Sequence, residues 1–461
     1  MRVLFLQNNG INESLALCEA SALLRRAGHD TRLLLHREER RIERAVRAFD
    51  PGLVVLSAGL GLHDWPFHMA RRVRAWVPAP IFCGGTAPTL LAEQFIQPPV
   101  DGVLVGEADE TLVALADALE AGRAPDDVAG LALPRAGHVR WTPTRDLPED
   151  LDAFPLPDRG IYYRYPFIRR LSVKRFITGR GCAHRCTYCT NDALRALYAG
   201  HGKLLRRKSP ARVVEEILAV RAIAPLRLVH FSDDLFVTRG DWLEEFCALY
   251  PRRVGLPFTC NSSVKLLPLH RVPLLAAAGC VGVAVGVETG NEDLRQTLLR
   301  KRTSNEEIER LGRAIRAHGM RLATFNMLAI PGASLEDDLS TLALNLRLRS
   351  DLVRVNRAMP TPGTAFAALP GWPPGGPRQP PLDPPRARLL ALFRVAQRLG
   401  IPAPTVRALI RLPQGPLAPL LMLASPLAER RYYGLGLAEG LRYWLHTGDP
   451  AARTTNSHQI I

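Results

Sequence analysis

Apolar residues in the first 125 positions gather into short runs, Arg2–Leu6, Thr31–Leu35, Leu53–Ser57, Pro80–Cys83 and Gly102–Val105. Each is followed by a stretch with apolar residues at helical spacing: Glu13–Ala27, Glu39–Phe49, Trp65–Trp76, Thr89–Phe95 and Glu110–Ala121. Unbroken apolar runs suit strands covered on both faces, and strands alternating with helices predict a doubly wound parallel sheet over residues 1–125. The alternation returns at Ser172–Ile177, Leu226–Ser232, Phe258–Ser262, Val281–Val287, Arg321–Ile330 and Leu352–Asn356, with room for one helix between neighbours, and predicts a second α/β unit over 168–366. Between the units, 126–167 reads as a connector in which Leu131–Pro134 and His138–Trp141 predict a small hairpin and the proline-spaced Leu147–Pro157 an extended linker. Residues 367–385 are rich in Pro and Gly and read as a second linker. Helical periodicity resumes over 386–461, at Leu389–Leu399, Thr405–Leu412, Leu417–Ala428 and Leu435–Leu445, and frays from Thr454.

Open parallel sheets bind ligands at the carboxyl ends of their strands. Those ends in the first unit carry Gln7-Asn-Asn-Gly10, Ser57-Ala-Gly59, Cys83-Gly84-Gly85-Thr86 and Gly106-Glu107, small residues that let a large flat ligand approach the backbone. Tight turns also use glycine, so the pattern alone does not separate a ligand-binding domain from one that binds nothing.

After the first strand of the second unit comes Thr178-Gly-Arg-Gly-Cys182-Ala-His-Arg-Cys186-Thr-Tyr-Cys189-Thr-Asn191, with thiols spaced C-x3-C-x2-C. A thiolate-held [4Fe–4S] cube takes four cysteines, so three leave one iron open to a substrate. Gly179 and Gly181 give the backbone freedom to curl around such a group. Two alternatives stand at this point: three unrelated core cysteines, or a structural zinc with His184 as fourth ligand, although a ring two residues from both Cys182 and Cys186 would point away from a shared metal.

With Tyr188 before the last cysteine, the triplet resembles that of the radical S-adenosylmethionine (SAM) enzymes. The likeness continues in order along the chain. Ser232-Asp233-Asp234 stands where that family places an acid for the SAM amino group, although two turn or N-cap aspartates would look the same. Gly286-Val-Glu288-Thr-Gly290-Asn-Glu292 is close to G-x-E-S-G-S-E, and Leu328-Ala-Ile-Pro331-Gly332 with Ser334-Leu-Glu-Asp-Asp338 resembles G-L-P-G-E-T-x-E-D, with Ala329 in place of glycine and Ala333-Ser334 in place of Glu-Thr. Met359-Pro-Thr-Pro-Gly-Thr364 resembles P-x-P-G-T. The resemblance implies a partial (β/α)6 barrel with a [4Fe–4S] cluster on Cys182, Cys186 and Cys189. It also implies SAM on the open iron, in contact with Tyr188, Asp233 (Asp234 next), Asn261, Glu288 at the ribose hydroxyls and Arg300 at the carboxylate.

Upstream, Gly84-Gly85-Thr-Ala-Pro-Thr resembles G-G-x-x-P-T, and Gly106-Glu107-Ala-Asp-Glu-Thr-Leu resembles G-E-x-x-x-T-L, of radical SAM enzymes with a cobalamin (B12)-binding domain. That resemblance implies a flavodoxin- or Rossmann-like domain holding cobalamin through Gln7, Gly10, Ser57, Gly84, Gly85, Thr86, Gly106 and Glu107. No D-x-H-x-x-G motif occurs, as is usual in this class, which leaves the lower cobalt face unassigned. The class implies methylation of an unactivated carbon of a small-molecule or lipid-like metabolite: one SAM methylates cobalamin, a second yields a 5′-deoxyadenosyl radical, and a flavodoxin- or ferredoxin-type reductant supplies electrons. A cyclase or oxidoreductase that uses cobalamin without methyl transfer, and a non-catalytic cobalamin or iron–sulfur sensor, remain alternatives.

Composition adjusts this picture in few places. The chain has 461 residues and a formal charge of +16, but its arginines are spread along helices without a dense basic tract, so nucleic acid is not an expected partner. Of the eight cysteines, Cys18, Cys83, Cys247, Cys260 and Cys280 lie singly among apolar neighbours, which suits buried thiols in the cytoplasm better than a disulfide framework. No uncharged apolar run reaches about 18 residues, so no membrane span is expected, and Met1–Leu6 is too short for a signal sequence. The apolar Pro416–Leu423, with Arg430, Arg431, Tyr432, Tyr433 and Trp444 nearby, suits a helical region packing its own core, a cap over the barrel, or peripheral contact with a membrane surface.

Overall fold

The computed structural model describes residues 1–8, 13–60, 64–238, 240–370, 372, 382–411 and 433. Strands β1 (Arg2–Gln7), β2 (Asp30–Leu35), β3 (Leu53–Ser57), β4 (Ile81–Gly84) and β5 (Gly102–Leu104) are parallel. The expected hairpin, β6 (Leu131–Arg135) and β7 (His138–Trp141), pairs antiparallel onto β5, giving the order β2-β1-β3-β4-β5-β6-β7. The hairpin therefore continues the first sheet instead of standing apart as connector, and it covers an edge that β5 would otherwise leave unpaired. Val3, Phe5, Leu53 and Val55 pack on one face and Leu4, Leu6, Val54 and Leu56 on the other, which is why these strands carry no polar alternation. The helix expected over Thr89–Phe95 is two short ones, Thr86–Leu90 and Ala92–Phe95, broken where Leu91 takes an extended φ of −132°.

The second unit opens with β8 (Val173–Phe176). The antiparallel pair β9 (Gly179–Arg180) and β10 (Arg206–Arg207) follows, then β11 (Leu228–Phe231), β12 (Phe258–Ser262), β13 (Cys280–Glu288), β14 (Arg321–Leu328) and β15 (Leu352–Arg357). Its main sheet is six-stranded and all parallel, in the order β15-β14-β13-β12-β11-β8. This is the partial barrel expected from the motifs. Phe176, Val229, Phe231, Phe258, Cys260, Val283, Val285 and Leu322 face the surrounding helices, while Val173, Leu228, Ala284, Ala323 and Leu352 turn inward against Tyr433. Ser304 with Glu307 and Ser334 with Asp337 form capping boxes, so the two helices behind β13 and β14 start at fixed points. Helices Pro384–Leu399 and Ala403–Leu409 bury Leu389, Phe393 and Val406 against Leu339, Val353 and Val355. The helices expected at Leu417–Ala428 and Leu435–Leu445 lie outside the described residues, and among the described residues no helix is long and apolar enough to cross a membrane.

Buried ions lock the two units together. Arg180 on β9 reaches Glu19, Glu107 and Asp109 of the first unit, each at 2.6 Å. Arg206 on β10 bonds Glu107, and Lys208 pairs with Glu19 at 2.8 Å and Glu216 at 2.6 Å. Burial alone would raise the Glu19 carboxyl, but Lys208 and Arg180 hold it down at about 2. Such an arrangement contributes little net stability but is costly to break from one side, so it fixes geometry between the units.

Candidate active site

The cysteine loop is held from several sides. The Thr187 N–H donates to Leu299 O (3.3 Å) and its hydroxyl to Leu298 O (2.7 Å), while Phe366 N–H donates to Thr187 O (3.0 Å). Arg195 donates to Cys182 O at 2.8 Å and His184 O at 3.3 Å, and Cys189 leads into helix Thr190–Leu197. The loop thus draws on the segment after β13, the segment after β15 and its own helix. Burial raises all three thiols, Cys182 to about 11, and Cys186 acts electrostatically on both Cys182 and Cys189. Buried thiols of this kind become ligands only when a cation takes their protons.

Several features test the fit to a cluster. Among the described residues no three His, Cys, Asp or Glu side chains are gathered closely enough to hold a single metal ion. The donors the loop offers are three free thiols, the ligand type that holds an iron–sulfur cluster. The His184 N–H lies 3.5 Å from Cys182 Sγ, and its buried Nε2 has no hydrogen-bond partner. The Asn191 Nδ2 lies 3.7 Å from Cys189 Sγ and donates to Asp234 Oδ2 at 2.6 Å.

The residues expected around SAM divide. Asp233 is buried behind the loop, where its Oδ1 accepts from Thr178 N–H (2.8 Å) and Thr178 Oγ1 (2.7 Å) while its Oδ2 is buried without a partner. Burial raises its pKa, against Arg207 and the Thr178 bonds. Asp234, ranked second from the sequence, is the one whose charge acts on Cys182 and Cys189. The Asn261 amide donates to Asp233 O at 3.0 Å and so braces the turn between them. Glu288 ends β13 at a bulge with φ +65°, and its Oε1 accepts from Lys301 Nζ at 2.7 Å. Burial first, and then the nearby Glu288 charge, raise the Tyr188 hydroxyl, and its ring packs edge-on against Phe366. Arg300 is exposed, with φ +52°, and it is the next residue, Lys301, that turns toward Glu288. Lys301 acts on Cys182, Cys186 and His184.

Beside the loop, a cleft of about 1090 Å3, its open mouth included, separates the carboxyl ends of the first sheet from the barrel. Ser57, Gly84, Gly85, Gly106 and Glu107 line one wall, and Arg175, Ile177, Arg180, Gly181 and Asn191 the other. A wall that carries Gly84, Gly85 and Gly106 suits a cofactor that lies flat against the backbone. The carboxylate of Glu107 is taken by Arg180 and Arg206, so it anchors the two units. Gln7 Oε1 accepts from the Tyr162 hydroxyl of the connector, and Thr86 is buried. Gly106 has φ +74°, and a Cβ there would meet the Tyr198 hydroxyl at 1.9 Å; at Gly85 (φ +109°) it would meet Ala58 O at 2.5 Å. These two glycines therefore also serve close packing. Gly10 lies outside the described residues.

Two residues at the centre of the site, Lys301 and Asn191, were not singled out in the sequence. Both adjoin motif positions, one beside Arg300 and the other two after Cys189, but which neighbour turns inward depends on a local φ.

Residues 176–344 match the radical SAM superfamily and residues 1–116 the B12 binding domain. An uncharacterized methyltransferase of Pyrococcus horikoshii is 23% identical over 329 residues, 70% of each chain. Cytidylyl-2-hydroxyethylphosphonate methyltransferase of Streptomyces wedmorensis is 26% identical over 267 residues, 51% of this chain and 49% of that protein. Among solved structures, the radical SAM methyltransferase TsrM from Kitasatospora setae, with cobalamin and a [4Fe–4S] cluster bound, superposes with a TM-score of 0.64 at 19% identity, covering 79% of this chain and 73% of that one. The chain is a radical SAM protein with an N-terminal B12-binding domain.

Proposed function

We propose that the protein is a cobalamin-dependent radical SAM methyltransferase that methylates an unactivated carbon of a small-molecule substrate, lipid-like molecules included. The observation that carries this reading is Asn191: it lines the cleft expected to hold the corrinoid and lies 3.7 Å from Cys189 Sγ of the expected cluster loop, so one side chain borders both cofactor sites. A methyl donor and a one-electron centre that act on the same carbon must be this close. The methyltransferase names of the two relatives above support the same reading.

When bound, the cluster with SAM would supply one-electron chemistry and the corrinoid a methyl group, and the protein supplies positions and exclusion of water. Cys182, Cys186 and Cys189 would hold the iron. Asp234 would accept from the SAM amino group, and Glu288 is suited to ribose hydroxyls. Lys301 would face the SAM carboxylate in the role expected of Arg300, with Tyr188 near Glu288. Asp233 and Asn261 brace the turn that presents Asp234. Ser57, Gly84, Gly85 and Gly106 would let the corrinoid lie against the first sheet. A flavodoxin- or ferredoxin-type donor and a cytoplasmic location complete the proposal.

The test is anaerobic reconstitution followed by product analysis. Wild-type protein should show cluster and corrinoid absorption, cleave SAM, and add one CH2 to its substrate by mass. Cys186→Ala should abolish 5′-deoxyadenosine formation while cobalamin still binds. Undiminished cleavage by that variant would overturn the assignment, and a product without the CH2 gain would indicate a cyclase or oxidoreductase instead.

A further inference from the structure

Along the cysteine loop, residues 178–191, every residue is buried or half-buried except Ala183 and Arg185, which stand between Cys182 and Cys186. The loop therefore meets solvent where it carries two of its thiols, and there it presents a guanidinium. The segment that braces the loop is cationic at the same place. Thr187 is bonded to Leu298 O and Leu299 O, and Leu299 is followed by Arg300, Lys301 and Arg302. Lys301 turns in, to Glu288, and acts on Cys182, His184 and Cys186, the residues around Arg185. Arg300 and Arg302, its two neighbours, are exposed.

Among the described residues, Arg185, Arg300 and Arg302 have no acidic partner. Arg47, Arg140 and Arg347, exposed elsewhere, each have one. The acids near the loop are engaged or sheltered. Asp234 accepts from Asn191 and Glu288 from Lys301, while Asp192, which acts on Cys186, is half-buried in the first turn of the loop's helix. The loop's opening to solvent is thus framed by guanidiniums that no carboxylate neutralises. Such a patch raises the local concentration of anionic partners and the rate at which they arrive. A merely solvated arginine face has no reason to coincide with the exposed edge of the thiol loop.

We propose that this edge, framed by Arg185, Arg300 and Arg302, is the docking surface for the protein that delivers electrons, a small one-electron carrier of flavodoxin or ferredoxin type with an acidic face. This deepens the methyltransferase reading, whose chemistry starts from a reduced cluster, and rests on it. In the docked pair one electron leaves the reduced carrier, which is oxidised by one, and enters the cluster on Cys182, Cys186 and Cys189; no proton or group moves. Asn191, at the other end of the loop, lines the cleft, so electrons and substrate reach the loop by different routes. Electron-transfer encounters bury little area, so charge complementarity sets their rate and choice of partner.

The test uses the reconstituted full chain and two reductants, a reduced acidic flavodoxin and photoreduced deazariboflavin, which has no protein surface to dock. Stopped-flow bleaching of the cluster absorption gives the rate of electron transfer, and biolayer interferometry with oxidised flavodoxin gives binding apart from any turnover. Raising salt from about 0.05 to about 0.5 M should slow reduction by flavodoxin about tenfold and leave reduction by deazariboflavin unchanged. Arg185→Gln combined with Arg302→Gln should lower flavodoxin binding and its reduction rate by about tenfold and flatten the salt dependence, with deazariboflavin as fast as on wild-type protein. Arg300→Gln combined with Arg302→Gln, both outside the loop, should repeat the loss and decides the matter if the change at Arg185 lowers cluster content. Flavodoxin transfer insensitive to salt, variants that bind and accept electrons like wild-type protein, or equal losses with both reductants overturn the proposal. If wild-type protein then still cleaves SAM with deazariboflavin, the methyltransferase reading survives; if it holds no cluster and cleaves no SAM with either reductant, that reading fails and the docking proposal with it.

Discussion

Lys301 Nζ stands 2.7 Å from Glu288 Oε1, in a gap that exists because residue 286 is glycine: a Cβ there would lie 2.1 Å from that oxygen and 2.2 Å from that nitrogen. Both are ends of side chains that can move, so Gly286→Ala should fold and displace the pair from its place. We expect cluster content close to wild type and SAM affinity lowered by about tenfold, the loss of one hydrogen bond to a charged group. Calorimetric titration of the reconstituted variant with SAM measures this. Unchanged affinity would mean that Glu288 and Lys301 do not hold SAM.

Asp234 and Lys301 place opposite charges near the same thiol, Cys182. Reduction adds negative charge to a cluster, and net local charge is one of the levers on its potential. Asp234→Asn should therefore raise the midpoint potential and Lys301→Met lower it, each by on the order of 1 kcal/mol, or roughly 45 mV for one electron. A redox titration followed by paramagnetic resonance reads both. Shifts of the same sign in the two variants would contradict this placement.

What could be read from the sequence follows from how local each feature is. The strands of both units were legible because each apolar run is buried by its own neighbours, as Val3–Leu6 and Val283–Val287 show. The cysteine loop was legible because its spacing is contiguous. Contacts across long separations were not. Glu107 looks like a ligand contact in its motif, yet its partners Arg180 and Arg206 lie 73 and 99 residues away. Gln7 is likewise claimed by Tyr162. Between Arg300 and Lys301 the sequence offers no preference, since a single left-handed residue decides which faces inward. Ala329 shows the reverse: it stands where the resembled motif has glycine and takes φ +55°, so the backbone kept the turn although the residue changed.

Arg180 holds three carboxylates in the seam between the units, Glu19, Glu107 and Asp109, and the side chains are nearly inaccessible. Arg180→Met preserves much of the volume but leaves buried negative charge behind, a loss of roughly 3–5 kcal/mol. The two units should then melt apart, with a separate lower transition in calorimetry and protease cleavage in the connector before β8. A single transition at the wild-type temperature would show that the ion cluster does not couple them.

Asp338 ties the barrel to the C-terminal helices. Its carboxylate accepts from Ala329 N–H at 3.1 Å and from Arg386 Nε at 2.8 Å, and Arg386 begins its helix behind the Asp383 cap. Burial pushes the Asp338 carboxyl up to about 6, outweighing those two donors. The folded state therefore binds its proton more tightly than the unfolded chain, whose carboxyl titrates near the ordinary value of about 4. Linkage fixes the sign: the folded state holds more protons between about pH 4 and pH 6, so this group's contribution to stability is present below pH 4 and falls as pH rises to 6, by on the order of 2 kcal/mol. Asp338→Asn keeps an acceptor for Ala329 N–H and cannot titrate. Urea denaturation across this range should show the variant lacking a decline that wild-type protein has, superposed on the titration of its other carboxylates. Equal slopes for the two proteins would show that Asp338 is already ionised throughout, held so by Arg386.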